Sequence, residues 1–345
     1  MQSVTVSKAR ELSEIYVKAG LVPMIKGSPG LGKSAIVKQM AEDFNLKLID
    51  IRLAQCDPTD LLGFPYIDKE LDKARYVPMD TFPLEGDEIP EGYSGWLVFM
   101  DELNAADRGV QKASYKPLLD KMIGTHNIHE KVIMMAAGNN DTDGALVEEL
   151  SSALQSRLVH IHVVSHAPSW CDYATNANYA HQVISFIDWL PQRLNTFDPE
   201  KQGEEPTYAC ERTWEFVSKL LLKGLDPRSD LALPLLAGVI GEGAAVEFLG
   251  YLKMFKDLPT IEEIIAAPNS AKIPDGAGPR YAISGTIGHK ATRGNVDQLL
   301  EYVERLPKEY QVVCLRSLGA KDASMIQTPA VKMWIAKTNT QLQAA

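Results

Sequence analysis

The sequence is poor in cysteine and has no excess of positive charge. Its 345 residues contain four cysteines that are widely scattered and form no C-x-x-C pair: Cys56, Cys171, Cys210 and Cys314. Scattered cysteines do not form a disulfide framework and are typical of reduced thiols in an intracellular protein. The formal net charge is -10 at pH 7. Because proteins that grip a nucleic-acid backbone usually carry a basic surface, nucleic acid is not the expected partner, although a local basic patch stays possible.

Long apolar segments are missing as well. The longest apolar run, residues 231–241, contains Pro234 and Gly238 and is too short to cross a bilayer. The first residues, MQSVTVSKARELSEIY, carry charges where a signal peptide has its apolar core. We therefore expect a cytoplasmic protein without a membrane span. Hydrophobic residues make up 45% of the chain, which is enough for the cores of two ordinary domains.

The first half of the sequence predicts an α/β domain with a parallel sheet. Short apolar runs that are typical of buried strands occur at residues 21–25, 46–51, 96–100, 132–137 and 159–164. A helix is predicted from Ser34 to Phe44, where apolar residues follow helical spacing. Strands separated by helices favour a parallel sheet covered on both faces. Residues 57–95, which contain five prolines, are predicted to form loops and short hairpins.

The second half predicts a mainly helical domain. After about residue 165 the strand pattern ends, and helices are predicted at residues 168–189, 211–223, 234–255, 260–267, 294–306 and 308–318. Residues 198–208, DPEKQGEEPTY, are polar and are predicted to form a solvated linker. We expect a nucleotide-binding α/β core at residues 1–165 and a helical lid with a C-terminal helical region at residues 166–345.

The segment GSPGLGKS matches the phosphate-loop pattern G-x-x-x-x-G-K-S in full. It follows a predicted strand and precedes a predicted helix, which is the context that the motif requires. Backbone N–H groups of such a loop point at phosphate oxygens, and the helix N-terminus adds its positive dipole end. Lys33 would reach the β- and γ-phosphates, and the Ser34 hydroxyl would bind Mg²⁺. The predicted nucleotide-binding residues are Gly27, Ser28, Pro29, Gly30, Leu31, Gly32, Lys33, Ser34 and Ala35.

A strand that ends in two carboxylates forms the second motif. Four apolar residues, 97–100, precede Asp101 and Glu102. Ligands of open α/β sheets bind at the carboxyl edge of the strands, so Asp101 would lie beside the phosphate loop and hold Mg²⁺. Glu102 could orient and polarise a water for attack on the γ-phosphate. A strand that merely ends in a charged turn is the alternative, which the phosphate loop makes the weaker interpretation.

The order of these motifs resembles that of the AAA+ ATPases. The strand before Asn139 is similar to their sensor 1 strand. The segment LSSALQSRL, which contains Arg157, is similar to the segment of these ATPases whose arginine reaches into a neighbouring subunit's site. Arg212, near the start of a predicted helix, resembles the sensor 2 arginine. The resemblance implies ATP and Mg²⁺ as ligands and a homo-oligomeric ring, expected to be a hexamer. It also implies a set of catalytic residues: Lys33, Asp101, Glu102, Asn139, Arg157 acting in trans, and Arg212.

Within this superfamily the sequence is most similar to the MoxR-type ATPases, in a branch found in bacteria and phages. Asp101-Glu-Leu-Asn104 matches their Asp-Glu-hydrophobic-Asn, DPTDLLG at residues 57–63 resembles the segment before their inserted hairpin, and APSW at residues 167–170 resembles a subset of them. The resemblance implies a chaperone-like remodeller of a protein client, which in such families often carries a von Willebrand factor A-type domain.

Two positions depart from the family pattern. Ala105 stands where the family usually has a basic residue, and the nearest arginine is Arg108. Glu211 stands where a proline often precedes the sensor 2 arginine, and its carboxylate could weaken the hold of Arg212 on phosphate.

Several alternatives stay open at this point. Arg157 could be a surface residue that pairs with Glu148 or Glu149, and Arg212 could be a solvated residue at a helix start. The whole protein could be a nucleic-acid motor or loader of the same superfamily, or a nucleotide-dependent binding switch with little turnover. His160 and His162 share one strand face, but no carboxylate or cysteine joins them at ligand spacing, so we predict hydrogen-bonded histidines and no metal site.

Overall fold

The computed structural model describes residues 2–70, 72–140, 143, 150–201, 206–254 and 258–343. They form two compact units. One unit runs up to Ser165 and includes a short segment that begins at Asp198, and the other comprises His166–Phe197 and the described residues from 206 onward. Within these ranges, no helix is long and apolar enough to cross a membrane.

The first unit is built on a six-stranded parallel sheet, which confirms the predicted fold class. Its strands, together with those of two small antiparallel hairpins, are β1 (Ser3–Val4), β2 (Pro23–Lys26), β3 (Lys47–Arg52), β4 (Phe64–Asp68), β5 (Lys73–Val77), β6 (Trp96–Asp101), β7 (Met122–Ile123), β8 (His126–Asn127), β9 (Val132–Gly138) and β10 (Val159–Val163). The order across the large sheet is β1-β10-β2-β9-β6-β3, and every neighbouring pair is parallel. The carboxyl ends of β2, β9 and β6 therefore lie side by side at one edge.

Helices cover both faces of this sheet. They are α1 (Val6–Lys18), α2 (Lys33–Asp43), α3 (Pro58–Leu62), α4 (Arg108–Ala113) and α5 (Ser152–Gln155). Successive residues of a strand point to opposite faces, so Leu97 and Phe99 of β6 join the core beneath α1 and α2, while Val98 and Met100 join the core beneath α4 and α5. Burial on both faces explains why the strands read as continuous apolar runs.

The strand predictions for this unit are confirmed to within two residues. The predicted hairpin region is also confirmed, because β4 and β5 pair antiparallel with Phe64 opposite Val77. The sequence analysis did not predict β1 and α1. In α1, Val6, Leu12 and Tyr16 pack against the core beside the buried Ala9, so its helical period is present in the sequence but was not recognised.

The second unit is helical in its described residues. Its helices are α6 (Ala167–Asn176), α7 (His181–Trp189), α8 (Glu211–Leu222), α9 (Ala232–Ile240), α10 (Glu242–Met254), α11 (Ile261–Ala266), α12 (Ala277–Lys290), α13 (Val296–Val303), α14 (Lys308–Lys321) and α15 (Pro329–Gln343). One core is centred on Phe186, Trp214 and Phe248, whose rings lie 5.0–5.5 Å apart. A second core surrounds Leu299 and Tyr302 of α13.

Two predicted helices were wrong as continuous segments. Residues 168–189 form α6 and α7, which are separated at Asn178, whose φ of 56° no helix interior accepts. Residues 234–255 form α9 and α10, because Gly241 adopts φ 80° and ends α9; residue 255 lies outside the described residues. The predicted linker contains a short turn at Pro199–Lys201, and its residues 202–205 lie outside the described residues.

The sequence pattern also missed α12 and α15. Helix α12, AGPRYAISGTIGHK, buries residues around much of its circumference, including three glycines, so its apolar residues follow no single face. The glycines let α14 approach closely: a Cβ added at Gly288 would lie 2.6 Å from the Cys314 carbonyl oxygen and 2.6 Å from the Ser317 Cβ.

We predict opposite stability effects for alanine at two helical glycines. Gly288→Ala forces α12 and α14 apart and should lower the free energy of unfolding by about 1–3 kcal/mol. Gly250→Ala, in α10, meets nothing within 4 Å and should raise it by about 0.5–1 kcal/mol through helix propensity. Urea denaturation followed by circular dichroism measures both. Equal effects of the two substitutions would contradict this account of the α12–α14 contact.

Candidate nucleotide-binding site

The phosphate loop joins β2 to α2, and its glycines meet specific backbone requirements. Gly30 and Gly32 adopt φ of 82° and 85°, the left-handed region that favours glycine. A Cβ at Gly27 would lie 2.8 Å from the Val163 carbonyl oxygen of β10. The loop conformation therefore depends on glycine at all three positions.

The N-terminus of α2 is open to an anion. Gly32 is its N-cap residue, no side chain caps the first turn, and no acidic residue lies in that turn. The first N–H groups of a helix have no partner within the helix, and they carry the positive end of its dipole. This helix start has the geometry and the polarity of a phosphate-binding site.

Lys33 is buried and connects the loop to β9. Its Nζ donates hydrogen bonds to the Gly27 carbonyl oxygen at 2.5 Å, the Ser28 carbonyl oxygen at 3.0 Å and the Asn139 Oδ1 at 3.0 Å. A buried ammonium group is tolerated when its donors are satisfied in this way. The fold thus brings Lys33 and Asn139, predicted from separate motifs, into direct contact.

Ser34 and Asp101 also meet. The Ser34 Oγ donates to the Asp101 Oδ2 at 3.2 Å, and the Asp101 Oδ1 accepts the Glu102 N–H at 2.9 Å. Desolvation and, second, the nearby Asp101 carboxylate raise the pKa of Asp50, while Arg52 and Lys38 lower it.

The oxygens of Ser34 and Asp101 suit Mg²⁺, which often binds through one or two protein oxygens, several waters and substrate phosphates. In the described part of the chain, no cluster of three or more His, Cys, Asp or Glu residues could hold a metal by itself. The two oxygens of Ser34 and Asp101 fit a nucleotide-bound Mg²⁺ whose remaining ligands would be phosphate oxygens and waters.

Glu102 follows β6 in an unusual backbone conformation. Its φ is 58°, in the left-handed region that a glutamate rarely adopts. Such conformations carry strain that the surrounding structure must hold, and they concentrate at functional sites. Its side chain is partly buried.

Asn104 holds the backbone of Asn139, a role that the sequence motif did not reveal. Its side chain is fully buried; the Oδ1 accepts the Asn139 N–H at 3.1 Å, and the Nδ2 donates to the Asn139 carbonyl oxygen at 2.8 Å. Gly138 makes room for this contact, because a Cβ there would lie 2.2 Å from the Asn104 Oδ1. The available signal was the asparagine after Asp-Glu-Leu, but its partner is 35 residues away.

The two predicted arginines are exposed in the described structure. Arg157 lies in the turn after α5 and donates to the Ala153 carbonyl oxygen at 3.2 Å; its alternative partners, Glu148 and Glu149, lie outside the described residues. Arg212 is the second residue of α8 in the helical unit. The preceding Glu211 is buried and accepts a hydrogen bond from the Asn195 Nδ2 at 3.1 Å.

Both strand histidines have hydrogen-bond partners. The His160 Nε2 lies 2.9 Å from the Gln155 carbonyl oxygen, and the two ring nitrogens of His162 contact Ser3 and Asn140. The structure therefore accounts for both side chains by hydrogen bonding.

The site consists of a glycine loop between a strand and an open helix start, next to Asp101 and Asn139 at the edge of a parallel sheet. This arrangement is that of the phosphate-loop nucleotide-binding proteins. Residues 23–165 match the family described as "ATPase family associated with various cellular activities (AAA)". This match covers most of the α/β unit, and it agrees with the resemblance to AAA+ ATPases that the motifs carry. No curated protein matches the chain in sequence.

Solved structures that are similar to this chain include a mutant of Thermotoga maritima RuvB, with 12% identity over 77% of each chain and a TM-score of 0.42. Another is a candidate ATPase from Cytophaga hutchinsonii ATCC 33406, with 13% identity over 98% of this chain and 90% of that chain and a TM-score of 0.34.

We predict that Asn104→Ala destabilises the α/β unit. The substitution leaves the N–H and the carbonyl group of Asn139 without their buried partner, which should lower the free energy of unfolding by about 1–3 kcal/mol. Asn127→Ala is the control, since this exposed side chain bonds only the Glu85 carboxylate among its described contacts, and it should change stability by less than about 0.5 kcal/mol. Chemical denaturation of both variants tests the role of the two hydrogen bonds between Asn104 and Asn139. An Asn104→Ala protein with an unchanged free energy of unfolding would refute it.

Proposed function

We propose that this protein is a Mg²⁺-dependent ATPase of MoxR type that forms a ring and remodels a protein client. The observation that carries the proposal is the convergence of Lys33, Ser34, Asp101, Glu102 and Asn139 at one sheet edge, next to the phosphate loop of an AAA domain. A binding switch would need the loop alone, whereas Glu102 supplies a candidate base for turnover.

Each residue has a role in this proposal. The N–H groups from Gly30 to Ala35 bind phosphate oxygens, and Lys33 exchanges a contact within the loop for the β- and γ-phosphates. Ser34 and Asp101 hold Mg²⁺, which when bound neutralises charge on the phosphates. Glu102 orients the attacking water and accepts its proton, while the Asn139 amide contacts the γ-phosphate or the water. Arg212 is proposed as the sensor 2 arginine on the resemblance of its segment alone.

Arg157 is proposed to complete the site of a neighbouring subunit. Phosphoryl transfer spreads negative charge over the γ-phosphate oxygens, and an arginine supplied in trans is worth about 10³–10⁵ in rate. Arg157 is exposed and donates a hydrogen bond to a carbonyl group of its own helix, which supports such a role. The proposed assembly is a homo-oligomeric ring, with six subunits as the expected number.

The MoxR assignment rests on sequence motifs and on the hairpin of β4 and β5. The hairpin follows the DPTDLLG segment, and it exposes Phe64 and Ile67 at 64% and 72% of their surface. Exposed apolar side chains of this size are typical of interaction surfaces. The proposed client is a protein with a von Willebrand factor A-type domain, and nucleic acid is not the expected client.

We predict that Asp101→Asn raises the Mg²⁺ concentration needed for half-maximal ATP hydrolysis. Replacement of the charged carboxylate by a neutral amide weakens the bond to the cation and should raise this concentration by about tenfold or more. Asp107→Asn is the matched control, because Asp107 is exposed and makes no side-chain cap, and it should leave the requirement within about twofold. Titration of MgCl₂ at constant ATP measures both, and an unchanged requirement in Asp101→Asn would contradict the assigned ligand.

We predict that Glu102→Gln and Arg157→Ala complement each other when mixed. Each variant alone should lose at least about 100-fold in ATPase rate. In a mixed ring about a quarter of the interfaces would pair an intact Glu102 with an intact Arg157 from the neighbour, so activity should return.

The control for that experiment is the double variant, which should restore nothing when mixed with either single variant. If the two single variants assemble into rings but their mixture stays inactive, the proposal that each site is shared between two subunits loses its support. Addition of DNA or RNA to the wild type forms a further arm, since stimulation that is lost at high salt would favour the nucleic-acid motor.

A further inference from the structure

A chain of hydrogen bonds runs from the phosphate loop to the last strand of the sheet. The Ser28 Oγ donates to the Asp143 Oδ1 at 3.2 Å and accepts the Asn140 Nδ2–H at 3.1 Å. The Asn140 Oδ1 lies 2.9 Å from the His162 Nε2, and the His162 Nδ1 lies 2.8 Å from the Ser3 Oγ. None of these side chains has a part in the mechanism described above.

The donors and acceptors of this chain can be assigned from chemistry. The buried Asp143 carboxylate only accepts, so it receives the Ser28 hydroxyl and, at its Oδ2, the Asn140 N–H at 3.1 Å. The Asn140 amide must turn its Nδ2 toward Ser28 and its Oδ1 toward His162. His162 therefore carries a hydrogen on Nε2, and in the neutral ring the Nδ1 accepts the Ser3 hydroxyl.

The chain reaches the phosphate loop from outside the nucleotide site. Ser28 is the second residue of the loop, and its carbonyl oxygen accepts a hydrogen bond from Lys33. The side chain and the backbone of Ser28 are thus held by different partners, Asn140 with Asp143 on one side and Lys33 on the other. The contacts of the Ser28 side chain do not depend on Lys33, so they can hold the loop for phosphate when Lys33 turns to the nucleotide, which reduces the ordering cost of binding.

We infer that His162 and Asn140 are positioning residues for the phosphate loop, which they act on through the Ser28 hydroxyl. The inference rests on the proposed nucleotide site and adds a set of residues that the loop motif does not contain. Because the network holds the loop and contacts no reacting atom, it should affect ground state and transition state alike. Its loss should therefore raise Kd and KM for ATP and leave kcat nearly unchanged.

The test compares substitutions at two histidines of one strand. His162→Leu removes the donor to Asn140 and should raise the Kd for a fluorescent ATP analogue by about 3- to 10-fold, as expected for one hydrogen bond. His162→Gln keeps a donor and should stay within about twofold of the wild type. His160→Leu is the matched control, since His160 bonds the Gln155 carbonyl oxygen outside the network, and it should also stay within about twofold.

A double-mutant cycle separates this role from a general structural one. Ser28→Ala should raise Kd by a similar factor, and the double variant Ser28→Ala with His162→Leu should bind no more than about twofold more weakly than the weaker single variant. Thermal unfolding without nucleotide identifies any variant that fails to fold, in which case Asn140→Ala replaces it in the cycle.

The outcomes distinguish the two proposals. A wild-type protein that binds neither ATP nor ADP would remove the proposed function, and the inference with it. If the wild type binds nucleotide, three results would overturn the inference and leave the proposed function in place. They are additive effects on Kd in the double variant, an unchanged Kd in His162→Leu, and a rise in Kd in His160→Leu equal to that in His162→Leu.

Discussion

The buried ammonium group of Lys33 is the interaction on which the nucleotide site depends. Its donors hold two carbonyl groups of the phosphate loop and the Asn139 side chain, so one residue fixes the loop to the end of β9. A charge inside the protein is costly unless it is paired or hydrogen-bonded, which makes this arrangement specific. An incoming phosphate would compete for the same donors, so the loop is built to exchange internal contacts for contacts with nucleotide.

The strand order places this contact next to the other residues of the site. Because β9 lies between β2 and β6, Asn139 enters between the phosphate loop and Asp101. The carboxyl ends of parallel strands share one edge, which collects residues that are distant in the chain. Asn104 and the Ser28–Asn140–His162 chain also hold this edge, by hydrogen bonds that the site motifs do not include.

Much of the fold could be predicted from local pattern, and the failures have physical causes. Strands buried on both faces read as apolar runs, so their positions were predicted well. Helix α12 was missed because its contacts with α14 require glycines, which weaken both helix propensity and the apolar period. Asn178 and Gly241 divided two predicted helices, since a single residue with positive φ ends a helix without a change in hydrophobicity.

By itself, the sequence determined the phosphate loop and the two carboxylates at the end of β6, Asp101 and Glu102. These depend on backbone conformation and residue type over a few adjacent positions, which a motif records directly. Only the tertiary structure decided that Lys33 meets Asn139, that Asn104 clamps the Asn139 backbone, and that His162 reaches the loop through Asn140. Those contacts join residues 22 to 112 positions apart, and hydrogen bonds of that range follow from strand order and register, which no local pattern encodes.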